Sequence, residues 1–357
     1  MAAHGNKMSK YLDERLAGLQ AYVPGEQPQD KRYIKLNTNE SPFPPAPGIE
    51  AELKRVYARL NLYPDPDMAE LRDELAALCG VRRDNIFVGN GSDEVLAFCF
   101  LAFCGTRGAR FADITYGFYR VYADLCRVSS RVMPLDGNLA VNPKDYIGSD
   151  ETVFIANPNA PTGLSISLEQ IDAIAGSTDA PVIIDEAYVD FGGETCLPLL
   201  KKHDNLLIVR TFSKSRNLAG GRIGWAVGSK ELITDLNSIK FSFNPFNVNM
   251  LSQAAALCSL RDKEYFEGCV TAVKEARAFA ADRLSAMGFE VINSHANFLF
   301  AAPPGMSGRE YYLRLKDRGV LVRHFPGERT GRFVRITIGT RAQMETLAAV
   351  TEQICKE

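Results

Sequence analysis

Over the first two-thirds of the chain, short apolar runs alternate with stretches of helical spacing. The runs at 85–88, 110–113, 151–156, 181–184, 205–211 and 224–228 are bounded by polar, Gly or Pro residues, which predicts short buried strands. Between them, apolar residues recur at helical spacing over 50–60 and 68–79, with Gly80 placed to cap the second stretch. A largely apolar helix follows the segment GNGSDE (89–94) and runs to Phe103. Another is predicted over 167–175, where Ser167 caps and Gln170 stands at the third position. The Pro-rich stretch 39–48 suits neither helix nor central strand and reads as an extended connector.

The pattern changes near residues 245–250. A helical stretch from 252 to roughly 287 is followed by short strands at 290–292, 297–301, 321–324 and 333–338, with a helix at 309–317. Alternating strands and helices predict an α/β fold with a mainly parallel sheet flanked by helices, and the later pattern predicts a smaller α+β domain. The expected division is an N-terminal arm over 1–45, packing with the small domain, a large domain over 46–248, and the small domain over 249–357.

Charge and composition remove several function classes. Lys and Arg total 41 against 43 Asp and Glu, a formal net charge of −2, without the basic excess expected of a nucleic-acid binder. The longest apolar stretch, 95–104, is half the roughly 20 residues a membrane span needs. The polar N-terminus lacks a signal-peptide core, so a cytoplasmic protein without membrane or nucleic-acid partners is expected. The eight Cys form no CxxC pair and read as reduced core residues, and four scattered His make a metal centre unexpected.

In an open parallel sheet, ligands gather at the carboxyl ends of strands. The polar residues at the predicted strand ends form a set: Gly91, Ser92 and Asp93; Asn157; Asp185 with Tyr188; Ser213 with Lys214; and Arg222. Each has an ordinary structural explanation. Ser92 or Asp93 could cap a helix, turn chemistry accounts for most of NPNAPTG (157–163), Asp185 could form a salt bridge, and a loop lysine is commonly solvated.

Taken together they suit pyridoxal 5′-phosphate. Glycines before a helix start leave N–H groups for a phosphate, with Arg222 alongside. A buried carboxylate at 185 can pair with the pyridinium nitrogen. A lysine in apolar surroundings is suited to Schiff-base formation. Asn157 and Tyr188 could bond the ring's phenolic oxygen, and Tyr116 could stack on its face.

The order GNGSDE, TYGFY, NPNAPTG, VIIDEAYVDF, RTFSKSRNLAGGRIGW, RITIGT resembles the fold-type I pyridoxal-phosphate-dependent aminotransferases over about residues 22–339. The segments NES (39–41), YPD (63–65), HANF (295–298) and RITIGT (335–340) favour the histidinol-phosphate branch. The resemblance implies Lys214 as the Schiff-base lysine and proton carrier, Asp185 on the ring nitrogen, and Ser92, Asp93, Ser213 and Arg222 around the cofactor phosphate. Tyr63 would come from a second subunit, which implies a homodimer with shared active sites. Arg335 would bind the anionic group of either substrate, with Arg323, Tyr22 and Asn39 assisting.

The implied reaction converts L-histidinol phosphate and 2-oxoglutarate to imidazole-acetol phosphate and glutamate, a step of histidine biosynthesis. A phosphorylated amino-acid decarboxylase of threonine-phosphate type or an aromatic amino-acid aminotransferase would use the same cofactor residues. A pyridoxal-phosphate-binding regulator would need a DNA-binding module, for which the residues before Tyr22 leave no room. The chain departs from the family pattern at Ala160, often Asn or Ser, at Ser215-Arg216-Asn217 after the lysine, and at Gly220-Gly221-Arg222, commonly Gly-Leu-Arg.

Overall fold

A computed structural model describes residues 9–16 and 18–357. Residues 1–8 and 17 of the expected N-terminal arm lie outside the described residues.

The arm contributes strand β1 (Ile34–Lys35), and helices α1 (Ile49–Tyr57) and α2 (Ala69–Cys79) follow the Pro-rich connector. The large body is then built from β2 (Ile86–Gly89), α3 (Gly91–Phe103), β3 (Ala109–Ala112), α4 (Phe118–Cys126), β4 (Ser130–Met133), β5 (Thr152–Ala156) and α5 (Leu168–Ala175). It is completed by β6 (Val182–Asp185), β7 (Leu206–Thr211), β8 (Gly224–Gly228), α6 (Lys230–Phe243) and α7 (Met250–Arg261). Beyond them lie α8 (Lys263–Ala286), β9 (Glu290–Val291), β10 (Phe298–Ala302), α9 (Gly308–Asp317), β11 (Val320–Leu321), β12 (Arg323–His324), β13 (Val334–Thr337) and α10 (Arg341–Lys356).

Strands β2 to β8 form one seven-stranded sheet in the order β2-β8-β7-β6-β5-β3-β4. Only β8 runs against its neighbours. Successive residues of a strand face opposite sides, and the core divides accordingly. Ile155, Ile184 and Ile208 pack with α2, α5 and α7 on one face. Phe154, Ile183 and Leu207 pack with α3, α4 and α6 on the other. Covering both faces explains why these strands read as continuous apolar runs.

The second sheet, β12-β13-β10-β9, is antiparallel and packs on α8, α9 and α10. Strand β1 pairs in parallel with β11, so the arm hydrogen-bonds into this second body. The predicted mainly parallel sheet with a smaller α+β unit is what forms.

Several elements differ from the pattern reading. The helical stretch from 252 breaks at Asp262, whose carboxylate accepts the Tyr265 N–H and caps α8. Helix α7 shares its buried cluster with the large sheet, while α8 packs with α10. The stretch 321–324 splits because β11 pairs with β1 and β12 with β13. Helices α4, α6 and α10 and strand β4 are additional to the predicted elements. Among the described residues no helix is long and apolar enough to cross a membrane.

Candidate active site

Strands β5, β6 and β7 are parallel and in register, so their carboxyl ends deliver Ala156, Asp185 and Thr211 to one edge of the sheet. A cavity of about 340 Å³ opens there. Of the residues singled out in the sequence, Ser92, Asp93, Tyr116, Asp185, Tyr188, Ser213, Lys214 and Arg222 line it.

One end of the cavity is built by the start of α3. Neither Ser92 nor Asp93 caps this helix: the cap position is Asn90, and no side chain bonds the helix's first N–H groups. Gly224 of β8 makes this arrangement possible. A Cβ there would lie 2.1 Å from the Ser92 nitrogen, so only glycine lets the sheet approach the helix start this closely. Arg222 holds a left-handed conformation at φ 49° and donates to Asp93 Oδ2 at 2.8 Å and Ser213 Oγ at 3.4 Å. Asp93 Oδ1 accepts from the Tyr116 hydroxyl. Burial, followed by the charge of Asp93, pushes that phenol far above its ordinary pKa and keeps it protonated.

At the centre, Asp185 is 5% exposed. Its Oδ1 accepts the Ala187 N–H at 3.1 Å, and its Oδ2 accepts the Tyr119 hydroxyl at 3.0 Å. Burial raises its pKa to about 6 against the lowering effect of both hydrogen bonds. Lys214 stands over the Tyr188 ring, with Nζ 5.8 Å from the centroid. Among the described residues it has no carboxylate within ion-pair distance. The Tyr188 hydroxyl accepts Asn39 Nδ2 at 2.9 Å. Asn39 is in turn locked to Thr337, because its N–H donates to Oγ1 at 2.9 Å and its Oδ1 accepts from it at 3.1 Å. Asn39 thus joins the arm, β13 and the cavity wall.

Some expected placements differ. The Asn157 side chain does not line the cavity; it is buried, with Oδ1 accepting the Ile166 N–H at 3.0 Å and Nδ2 donating to the Ile166 carbonyl at 3.3 Å. Tyr63 lines a separate surface cleft with Arg59, Met250 and Gln253. It is 79% exposed and stacks on Phe246 with 4.5 Å between ring centroids. Tyr22 stacks on Phe118 at 4.3 Å, two residues beyond Tyr116. The tyrosine contact to Asp185 comes from Tyr119, and Thr38 and Glu40 also line the cavity. None of the three stands out at the end of an apolar run in the sequence. Their shared signal is proximity to motifs already singled out, TYGFY and NES.

Arg323 and Arg335 face each other across β12 and β13. Arg335 Nη2 donates to the Asn37 carbonyl at 3.1 Å, while its buried Nε has no partner. Burial lowers its pKa, and the Arg323 charge adds to that. The Arg323 guanidinium donates to the carbonyls of Val23 and Pro24, each at 3.4 Å, and lies 5.7 Å from the centroid of the Phe325 ring.

The chain belongs to the family described as aminotransferase class I and II, whose profile matches residues 31–350. It is 44% identical to the histidinol-phosphate aminotransferase of Brachyspira hyodysenteriae over 98% of this chain and 100% of that one. With the Clostridium acetobutylicum protein of the same name it shares 45% identity over 94% of this chain and 97% of the other. The fold matches a Sinorhizobium meliloti histidinol-phosphate aminotransferase, solved with pyridoxal 5′-phosphate, at TM-score 0.82 and 23% identity over 91% of this chain and 92% of that one.

The family depends on pyridoxal 5′-phosphate, and the residues present fit that cofactor. An uncapped helix start beside a guanidinium suits a phosphate. A buried carboxylate with an elevated pKa and no ion-paired cation among the described residues suits a pyridinium. A lysine with no carboxylate within ion-pair distance among the described residues suits the carbonyl carbon.

Proposed function

We propose that the protein transfers the amino group of L-histidinol phosphate to 2-oxoglutarate, giving imidazole-acetol phosphate and glutamate, as a cytoplasmic enzyme of histidine biosynthesis. The observation that carries this reading is that Lys214 and Asp185 line one cavity, while Arg335, near enough to feel the cavity tyrosines Tyr188 and Tyr116, has with Arg323 no acidic partner among the described residues. Near-full-length relatives at 44% identity support the substrate.

When bound, the cofactor supplies an electron sink for charge developing at the substrate Cα. Lys214 Nζ holds the cofactor and carries a proton to and from the reacting carbon. Asp185 keeps the ring nitrogen protonated, and Tyr119 steadies that carboxylate. The α3 start, Ser213 and Arg222 hold the phosphate group. Tyr188 and Tyr116 fix the ring, with Asn157 bracing the β5 end from behind. Arg335, aided by Arg323 and Tyr22, takes the anionic group that glutamate and histidinol phosphate have in common.

The same reading makes the enzyme a homodimer. Tyr63, exposed and absent from the lining of its own chain's cavity, would complete the partner's phosphate site.

The test is an absorbance titration of the purified protein, reconstituted with pyridoxal 5′-phosphate, with L-histidinol phosphate and no keto acid. Conversion of the lysine-bound cofactor to its amine form is expected, and the Lys214→Ala protein should show none. Conversion by glutamate but not by histidinol phosphate overturns the substrate. Failure to form a lysine-bound chromophore at all overturns the cofactor site.

A further inference from the structure

The three residues after Lys214 are each fastened to a segment distant in sequence. The Ser215 hydroxyl donates to Asp190 Oδ2 in the turn after β6. Asn217, left-handed at φ 57°, donates from Nδ2 to Cys269 Sγ on α8 at 3.4 Å. Arg216 lies between them and reaches the junction of α7 and α8. Its Nη1 donates to the Ser259 carbonyl at 2.7 Å, and its guanidinium centre lies 3.8 Å from the centroid of the Phe266 ring.

This cation is held without an ion pair. Among the described residues no carboxylate lies within ion-pair distance of Arg216; burial disfavours its charge, and the Asp190 carboxylate opposes that only from farther away. Two features offset that cost. Ser259 stands in the last turn of α7, where carbonyls lack helical partners and the helix end is negative. Phe266 stands in the first turn of α8 and offers its ring face. A planar guanidinium can satisfy both at once, whereas a lysine ammonium cannot stack in this way.

The junction is where the two bodies meet. Helix α7 belongs to the core of the large sheet, and α8 to the core of the antiparallel one. We propose that Arg216 is a positioning residue: it ties the segment carrying Lys214 to the α7–α8 junction, so that the reach of the lysine into the cavity depends on how the antiparallel body is seated. The inference builds on the assignment of Lys214 as the cofactor lysine.

The experiment compares wild type, Arg216→Met and Arg216→Lys, each loaded with pyridoxal 5′-phosphate. Three quantities are read: the pH midpoint of the lysine-bound cofactor absorbance, amide hydrogen exchange over 212–218 without cofactor, and kcat and KM for the amino donor. Misplacing a reacting group by about 1 Å costs up to about 100-fold. Arg216→Met is therefore expected to lower kcat by about tenfold or more, leave KM within about threefold, speed exchange and move the pH midpoint. Arg216→Lys, which keeps the charge and loses the stack, should fall between the two. Unchanged midpoint and exchange in both variants overturn the inference, even if melting temperature drops. If Arg216→Met does not fold, Phe266→Leu takes its place and must show the same midpoint shift. Absence of a lysine-bound chromophore in the wild type would instead overturn the assignment of Lys214.

Discussion

Arg323 and Arg335 stand directly opposite each other on β12 and β13, two like charges in cross-strand register. Such pairs are destabilising unless something negative lies between them. Among the described residues neither has a carboxylate partner and the buried Arg335 Nε has no hydrogen-bond partner, although the guanidinium lies over the Phe298 and Phe325 rings. The like charges are eased by backbone carbonyls, of Asn37 for Arg335 and of Val23 and Pro24 for Arg323, which is the observation behind the proposal that the pair takes the substrate's anionic group.

Replacing Arg335 with Gln removes the fork and leaves the backbone unchanged. A hydrogen bond to a charged group contributes about 1.5–3 kcal/mol, so KM for glutamate is expected to rise roughly 10- to 100-fold. Steady-state kinetics with glutamate as donor checks this. An unchanged KM would place the substrate carboxylate elsewhere.

Asp185 makes the cofactor-free protein sensitive to pH. Its folded pKa of about 6 lies above the ordinary value of 3.8 for an aspartate. A raised acid favours folding below its unfolded pKa and loses that contribution as the pH climbs through the folded value. The cofactor-free protein should therefore lose stability between about pH 4 and pH 6, by an amount of order 3 kcal/mol. Asp185→Asn should abolish most of that loss while weakening cofactor binding. Urea unfolding of both cofactor-free proteins across this pH range measures it, and parallel profiles would refute the assignment.

Tyr119 donates the only side-chain hydrogen bond to Asp185 among the described residues. Tyr119→Phe removes that donor and keeps the ring in the core between Phe111 and Phe154. A neutral hydrogen bond is worth roughly 1 kcal/mol, and one to a carboxylate more. The expected result is a few-fold loss of kcat and a shift in the pH dependence of cofactor absorbance, with cofactor content retained. Loss of the cofactor altogether would show that Tyr119 is needed for the site to form.

Gly224→Ala drives a methyl group into the backbone of Gly91 and Ser92. Neither the β8 strand nor the α3 start can yield without moving the other. Overpacking of this kind costs about 1–3 kcal/mol or more. The affinity for free pyridoxal phosphate, read by fluorescence titration, should fall at least tenfold. Wild-type affinity would mean that the helix start does not hold the phosphate.

Much of this molecule follows from local pattern. Asp185, Ser213 and Lys214 are legible because each terminates or closely follows an apolar run, and a run covered on both faces must end at a sheet edge. The parallel sheet and the position of the cavity follow from the same regularity. What the tertiary structure alone decided are the pairings between segments distant in sequence. Tyr119 meets Asp185 across 66 residues, Asn39 meets Tyr188 across 149, and Arg216 meets Ser259 across 43. Asn157 turned its amide to the backbone of Ile166, and Asp262 broke a helix that residue spacing makes continuous. Hydrophobic periodicity states which face of an element is buried. It carries no information about which polar group the opposite wall will present, because that depends on how separately formed elements are docked.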